Sequence, residues 1–287
     1  MNDEKKLNAW RSMATVLAFG RTTVEQIETI RKYGNHGVSP VLRAAVLTAH
    51  GIPKPREKAE NCVIFGCYRP FTTPFFVRDC LRLLDLLNID YTYLDREYCC
   101  GSPLAAAASK DELNDVLGTG REFNQMNRDL ARQKGATGLA YCCAACVHAA
   151  KTALSDDSDH QVYIIDLILD KLENHQFRIP HTVLGYFEGC HTAARRNYPQ
   201  ARLNWDRYRR RLDEIEGAEI VDIPSKVCCK MSAGEIVDTA LRMNLAKIVC
   251  PCSGCYSSLI APAQGKIQLV TIPELLLQSY LGVWGRS

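Results

Sequence analysis

The chain has 287 residues, of which 47% are hydrophobic and 23% charged, for a net charge of +3. That is the make-up of a globular protein with a full core, in one large domain or two ordinary ones. The longest basic run, Arg209-Arg210-Arg211, is too short to argue for nucleic acid, and a solvated helix face explains it as well. The charged opening Met1–Lys6 has no apolar signal core behind it, and no segment reaches membrane-span length. The expectation is a cytoplasmic protein whose thiols stay reduced. Its fourteen cysteines are not read as disulfides, which belong to small secreted scaffolds with little core.

Residues 1–60 carry no cysteine and read as helical. Thr22 and Thr23 can cap a helix through Val24, Ile27, Ile30 and Tyr33, ended by Gly34 and Gly37. Ser39-Pro40 opens a second, from Val41 to His50, closed by Gly51 and the Pro53/Pro55 pair. From Asn61 on, short apolar β-type runs alternate with helix-length amphipathic ones. Strands are predicted at 63–65, 91–94, 137–141 and 161–165. Helices are predicted at 73–87, at 110–134, after Cys143 and through Leu172. The order then repeats, with strands at 183–187, 219–223, 247–249 and 267–270 and helices at 202–215, 233–243 and 273–280. This alternation predicts an α/β fold of two pseudo-symmetric β/α repeats with parallel strands, 61–176 and 181–284, behind a helical N-terminal extension, 1–60.

Ten of the fourteen cysteines write one pattern twice: a lone Cys, an adjacent pair, then Cys-x-x-Cys. The first copy is Cys67, Cys99 with Cys100, and Cys143 with Cys146; the second is Cys190, Cys228 with Cys229, and Cys252 with Cys255. The lone cysteine precedes the pair by 31 intervening residues (68–98) in the first copy and 37 (191–227) in the second. Packing gives no reason to repeat this, because a buried free cysteine is a small hydrophobe that other residues can replace. Convergence of thiolates on a soft metal does give one. Each cysteine group follows a predicted strand and precedes a predicted helix. In a parallel sheet that sets them along one edge, with helix N-termini favouring thiolate. Zinc prefers four ligands, typically from two x-x-spaced pairs, and would leave a cysteine over in each half. Adjacent residues of extended chain point to opposite sides, so a vicinal pair suits a multi-iron cluster better.

The stretches Phe65-Gly-Cys67, Cys99-Cys-Gly-Ser-Pro-Leu104, Cys143-Ala-Ala-Cys146, Phe187-Glu-Gly-Cys190-His191 and Cys252-Ser-Gly-Cys-Tyr-Ser-Ser-Leu259 resemble the cysteine-rich CCG domain found in the B component of heterodisulfide reductase. That domain also occurs in iron–sulfur subunits of glycolate, glycerol-3-phosphate and lactate oxidation systems. The resemblance runs over about residues 61–284. It implies two non-cubane [4Fe-4S] clusters, one held by Cys67, Cys99, Cys100, Cys143 and Cys146, the other by Cys190, Cys228, Cys229, Cys252 and Cys255. In heterodisulfide reductase the two face each other across the disulfide and deliver one electron to each sulfur. The implied activity is that of an oxidoreductase subunit reducing a small disulfide, or oxidising a thiol pair. The chain has no C-x₂-C-x₂-C-x₃-C run and no G-x-G-x-x-G fingerprint. Its implied partners are therefore a ferredoxin-type iron–sulfur subunit and a flavoprotein subunit. Residues 1–60 are the expected docking element, removable without loss of either cluster. The alternatives are an electron conduit for a 2-hydroxyacid or polyol dehydrogenase complex, and a structural zinc-binding interaction protein.

Two departures concern the second copy. Its pair is followed by Lys230-Met231 where the first has Gly101, which implies an altered loop. Its pair and Cys-x-x-Cys are separated by 22 residues (230–251), against 42 (101–142) in the first. The type of the second cluster, non-cubane or cubane, stays open. Four cysteines fall outside the pattern. Cys80 is expected in the core, Cys62 shares a strand with Cys67, Cys142 abuts Cys143, and Cys250 is the candidate substitute ligand at the second site. His191 is read either as a group that tunes or protonates at the cluster or as a hydrogen-bonded structural histidine. Arg195 and Arg196 are read as an anion contact or a solvated helix start.

Overall fold

The structure, a computed structural model, describes residues 23–154, 160–172, 175–188, 203–224 and 227–282. Two helices come first, α1 (Thr23–Tyr33) and α2 (Pro40–Ala49). Ser39 caps α2, its Oγ accepting the Leu42 N–H at 3.2 Å, with Pro40 at the first turn where no amide hydrogen is missed. The first sheet unit then runs β1 (Asn61–Ile64), α3 (Arg69–Thr72), α4 (Pro74–Leu86), β2 (Tyr91–Tyr93), α5 (Ser102–Ala107), α6 (Leu113–Gln133), β3 (Gly138–Tyr141), α7 (Ala144–Ala153), β4 (His160–Tyr163) and α8 (Ile164–Lys171). The second runs β5 (Arg178–Tyr186), α9 (Trp205–Asp213), β6 (Glu216–Asp222), α10 (Ala233–Arg242), β7 (Lys247–Cys250), α11 (Ser253–Ala263), β8 (Gln268–Thr271) and α12 (Ile272–Leu281).

Each unit is a four-stranded parallel sheet, and the strand orders correspond: β2-β1-β3-β4 and β6-β5-β7-β8. The fold is α/β with two pseudo-repeats. Central strands are buried along their length, as both-face burial in parallel sheets requires: all four residues of β3 are inside, as are Cys62, Val63 and Ile64 of β1. In both sheets the chain moves outward from the first strand, then returns past it to the third. The switch points therefore lie between β1 and β3 and between β5 and β7, where open α/β sheets bind ligands beyond the strand C-termini.

The units share one apolar core, with α4 packed on α8 and α12 and the Phe75 ring 4.9 Å from that of Tyr256. Their cysteine-bearing edges are stitched together. Ser253 Oγ donates to the Cys142 carbonyl at 2.9 Å, and the Tyr163 hydroxyl to the Pro251 carbonyl at 2.9 Å. The N-terminal helices are built into the first unit: Leu47 and Ile52 belong to its core, and Ile30 packs with Cys99, Leu104, Val116 and Phe123. Among the described residues no helix is long and apolar enough to cross a membrane.

Several elements depart from expectation, some for local reasons. Helix α5 was not anticipated; it starts just after Gly101, with Pro103 in its first turn. Helix α6 begins at Leu113 because Glu112 folds back to accept the Ser109 N–H (3.1 Å) and hydroxyl (2.7 Å). Strand β5 begins at Arg178, where polar residues pair with β6 before a register shift, so apolar alternation could not mark its start.

Candidate metal centre

Three loops at the C-terminal edge of the first sheet build the site. After β1, Phe65 and Gly66 turn the chain toward Cys67. Gly66 has φ +87°, and a Cβ there would lie 3.0 Å from Cys146 Sγ, so close sulfur approach and backbone conformation both call for glycine. This turn is held by Glu97, whose Oε1 accepts the Phe65 N–H (3.0 Å) and Oε2 the Gly66 N–H (2.8 Å). Glu97 is itself 5% exposed and paired with buried Arg43 of α2 at 2.9 Å. Burial pushes the Glu97 carboxyl up, and Arg43 and the two amides oppose that shift.

After β2 comes Cys99-Cys100-Gly101. Gly101 has φ +81°, and a Cβ there would stand 2.7 Å from the Gly120 Cα of α6. Buried asparagines on α6 lock this loop: Asn124 donates to the Cys100 carbonyl (3.1 Å), and Asn127 both accepts from and donates to the Tyr98 backbone at 2.7 Å. After β3, Cys143 is the N-cap of α7, and the Cys146 N–H donates to its carbonyl at 3.0 Å.

All five sulfurs of the first copy meet. They form a continuous line of hydrogen-bonding contacts, Cys67–Cys99–Cys100–Cys146–Cys143, and every one of these residues is buried and free of disulfides. Their acidities alternate along the line. The Cys99 hydrogen bond, assisted by His36 and opposed by burial, holds Cys67 down at about 7. Hydrogen bonds from Cys146 and then Cys99 hold Cys100 well below the ordinary thiol value. The Cys146 hydrogen bond, with the Arg69 charge assisting against burial, holds Cys143 at about 6. The donors pay for this in their own acidity: Cys99 is pushed well up by its bonds to Cys100 and Cys67, and Cys146 by its bonds to Cys100 and Cys143. The shared hydrogen bonds thus lower three of the thiols and raise the other two. Soft cations replacing the thiol protons would convert the whole set to thiolate ligands, so the donor chemistry fits a polynuclear thiophilic group.

The second copy is described in part. Cys252 caps α11, accepting the Gly254 N–H at 3.2 Å. A hydrogen bond from Cys255 lowers the Cys252 thiol against burial and the Cys143 charge, with Arg69 assisting. Cys229 is buried and Cys228 partly exposed. The carbonyl of Cys228 accepts the Met231 (3.0 Å) and Ser232 (2.9 Å) N–H groups in a tight turn. Lys230 is not among the residues with positive φ, so this loop does not repeat the left-handed step at Gly101. Cys190, His191, Arg195 and Arg196 lie outside the described residues. Of the remaining cysteines, Cys62 is pushed up by burial, and Cys80 by burial and its hydrogen bond with Cys142. Cys250 is buried at the end of β7, in register with Thr271 of β8.

Three further groups belong to the site and carry no cysteine signature. His36 Nε2 lies 3.4 Å from Cys99 Sγ, and the donor atoms of His36, Cys67 and Cys99 all fall within 4.8 Å of one another. Arg69 spans the two units, its Nη1 donating to the Ser253 carbonyl (3.1 Å) and Ser257 Oγ (2.9 Å). Burial opposes the Arg69 charge, but the sulfurs of Cys143, Cys252, Cys146 and Cys67 outweigh it and raise the group above its ordinary value. Glu97 is the third.

The fold and site define an α/β protein with a cysteine-rich centre at a sheet switch point, with Cys252 of the second copy beside it and the Arg69 guanidinium near both. Residues 62–150 match the cysteine-rich domain family CCG. The chain is 26% identical to the D component of the dihydromethanophenazine:CoB–CoM heterodisulfide reductase of Methanosarcina acetivorans, over 62% of this chain and 50% of that protein. It is 24% identical to the same component from Methanosarcina mazei over 48% of this chain and 35% of the relative. With that of Methanosarcina barkeri the figures are 30%, 34% and 23%. The chain thus spans half or less of the length of these curated relatives. Among solved structures, glutamate racemase from Aquifex pyrophilus aligns over 77% of this chain and 82% of its own, with a TM-score of 0.32 and 14% identity, too slight a likeness to bear on activity.

Proposed function

We propose that this protein is a cytoplasmic iron–sulfur oxidoreductase subunit. The observation that carries the reading is the convergence of five buried, reduced sulfurs from three strand-to-helix loops. Cys67, Cys99, Cys100, Cys143 and Cys146 would hold one [4Fe-4S] cluster of non-cubane type. Cys190, Cys228, Cys229, Cys252 and Cys255 would hold the second, within a division of the chain at 61–176 and 181–284. Five ligands for four irons, two of them adjacent, favour iron–sulfur over zinc, and similarity to heterodisulfide reductase subunits supports the same choice. When bound, such clusters supply one-electron transfer.

The substrate is a small disulfide, or in reverse a thiol pair. Reduction would consume two electrons and two protons and release two thiols, the electrons coming from a ferredoxin-type iron–sulfur subunit or a flavoprotein subunit. The chain's own residues would hold the reacting centre dry and rigid: Glu97 fixes the Cys67 turn, and Asn124 and Asn127 fix the vicinal pair. Arg69, between both cysteine sets, has a buried Nε with no hydrogen-bond partner among the described residues. It is placed to receive an anionic group of the substrate.

Anaerobically purified protein should contain about eight iron atoms and as much acid-labile sulfide per chain. It should reduce small disulfides with a strong artificial donor, and Cys100→Ala should abolish that activity. Zinc without visible absorption would end the iron–sulfur reading; iron with no disulfide turnover would leave an electron conduit.

A further inference from the structure

We propose that His36 is a sixth member of the first cysteine centre, a positioning residue that donates its Nε2 hydrogen to the Cys99 and Cys67 sulfurs and so raises the reduction potential of the group bound there. This rests on the iron–sulfur reading above. The separation of 3.4 Å from Nε2 to Cys99 Sγ is that of an N–H···S hydrogen bond, and the donor atoms of His36, Cys67 and Cys99 lie within 4.8 Å of one another. His36 is 9% exposed, so water competes little for this bond.

The mounting of the ring is what distinguishes it from an ordinary core histidine. Its face stacks on Tyr68, the residue after Cys67, with centroids 4.8 Å apart and planes 13° from parallel. Its backbone is tied to the vicinal pair, because the Gly34 carbonyl accepts the Cys99 N–H at 2.7 Å. Asn35 closes the loop that carries it, accepting the Gly37 (3.1 Å) and Val38 (2.7 Å) N–H groups and donating to the Val38 carbonyl at 2.8 Å. Beyond the loop, Arg43 donates to the carbonyls of Leu94 (3.0 Å) and Asp95 (2.9 Å) and to Glu97, which holds the turn before Cys67. The segment therefore grips both cysteine loops that His36 touches, and it aims the ring at their sulfurs.

A hydrogen bond to a ligand sulfur stabilises the more negative, reduced form of an iron–sulfur group, which moves its potential upward. This segment lies before residue 62, outside the part of the chain that matches the cysteine-rich family. Only residues 172–177 separate α8 from β5, so the second unit has no segment of similar length before its first strand. The two units thus differ in what stands before their first strand, and the His36 contact belongs to the first.

The test compares full-length protein with His36→Phe, which keeps a ring over Tyr68 but no donor, and His36→Gln, which keeps an N–H donor without the ring. Iron, acid-labile sulfide and EPR-monitored redox titrations are measured on each. The expected result is unchanged iron in both variants. One transition, the one that Cys100→Ala removes, moves to more negative potential in His36→Phe and partly recovers in His36→Gln, while the other stays fixed and reports intact folding. Full iron with no shift in His36→Phe overturns the proposal. Selective loss of the first centre's iron in His36→Phe with the second transition intact also overturns it, since His36 would then be a ligand. If His36→Phe loses both transitions, pulsed EPR on unmutated protein with isotope-labelled histidine decides. A weak nitrogen coupling lost in His36→Gln supports the hydrogen bond, and a strong coupling or none overturns it. Absence of iron and sulfide from the unmutated protein overturns the underlying reading instead.

Discussion

Cys80 and Cys142 touch one another beside the first centre, yet their surroundings separate them from the five sulfurs above. Cys80 is wholly buried in an apolar helix face, and its acidity is suppressed first by that burial. Among the described residues its surroundings, Cys142 and Asp79 besides the burial, all disfavour the thiolate that a metal ligand requires. Cys80→Ala should therefore leave iron content unchanged and cost about 1 kcal/mol in urea denaturation, as a small core truncation does. Loss of a whole cluster would move Cys80 into the ligand set. Its core role was legible because Val77, Leu81 and Leu84 share its helix face. His36 was not, since it lies 63 positions before Cys99 and no period of helix or strand links two such positions. Glu97 and Arg69 were hidden for the same reason: a charged residue outside the apolar pattern looks solvated until the fold supplies its partner.

At the scale of elements, the joint between α2 and the β1 loop rests on a buried ion pair. Arg43 and Glu97 are both buried at 2.9 Å, and Glu97 also serves two backbone amides. Such a pair is not strongly stabilising against an apolar replacement, but removing one partner strands the other charge. Glu97→Ala should cost about 3–5 kcal/mol in chemical denaturation. Glu97→Gln, which keeps an acceptor, should cost less and retain more of the first centre's iron. Equal effects of the two substitutions would show that loss of the charge, and not of the acceptor, sets the cost. The elements themselves were largely legible, because apolar runs and 3.6-residue periodicity survive in β1, β3, β7, α4 and α6. Helix α5 escaped, although Pro103 at its first turn is a start signal that periodicity alone passes over. The polar start of β5 escaped because Ile179 is the one apolar residue buried there, too little to mark a strand by alternation.

Across the whole molecule, the repeated alternation of strand and helix runs made the two parallel sheets legible. What faces what was not. Ser253 bonding the Cys142 carbonyl, Tyr163 bonding that of Pro251, and Arg69 among four sulfurs depend on two units meeting edge to edge, which no local pattern encodes. The same holds for the N-terminal segment. Expected as a docking element whose loss spares both clusters, it supplies Leu47 and Ile52 to the first unit's core, Arg43 to Glu97 and His36 to two sulfurs. Deleting residues 1–60 would uncover Cys67 and Cys99 and leave the Glu97 charge without its cation. The truncated chain should lose the iron of the first centre, while the second, whose loops α1 and α2 do not hold among the described residues, keeps its spectrum. Iron analysis with EPR of the truncated protein, set beside its affinity for the electron-donating partner, separates the two roles. A truncated chain with full iron and weakened partner binding would return residues 1–60 to docking alone. Loss of only the first signal would make the segment a wall of the metal centre, whatever else it binds.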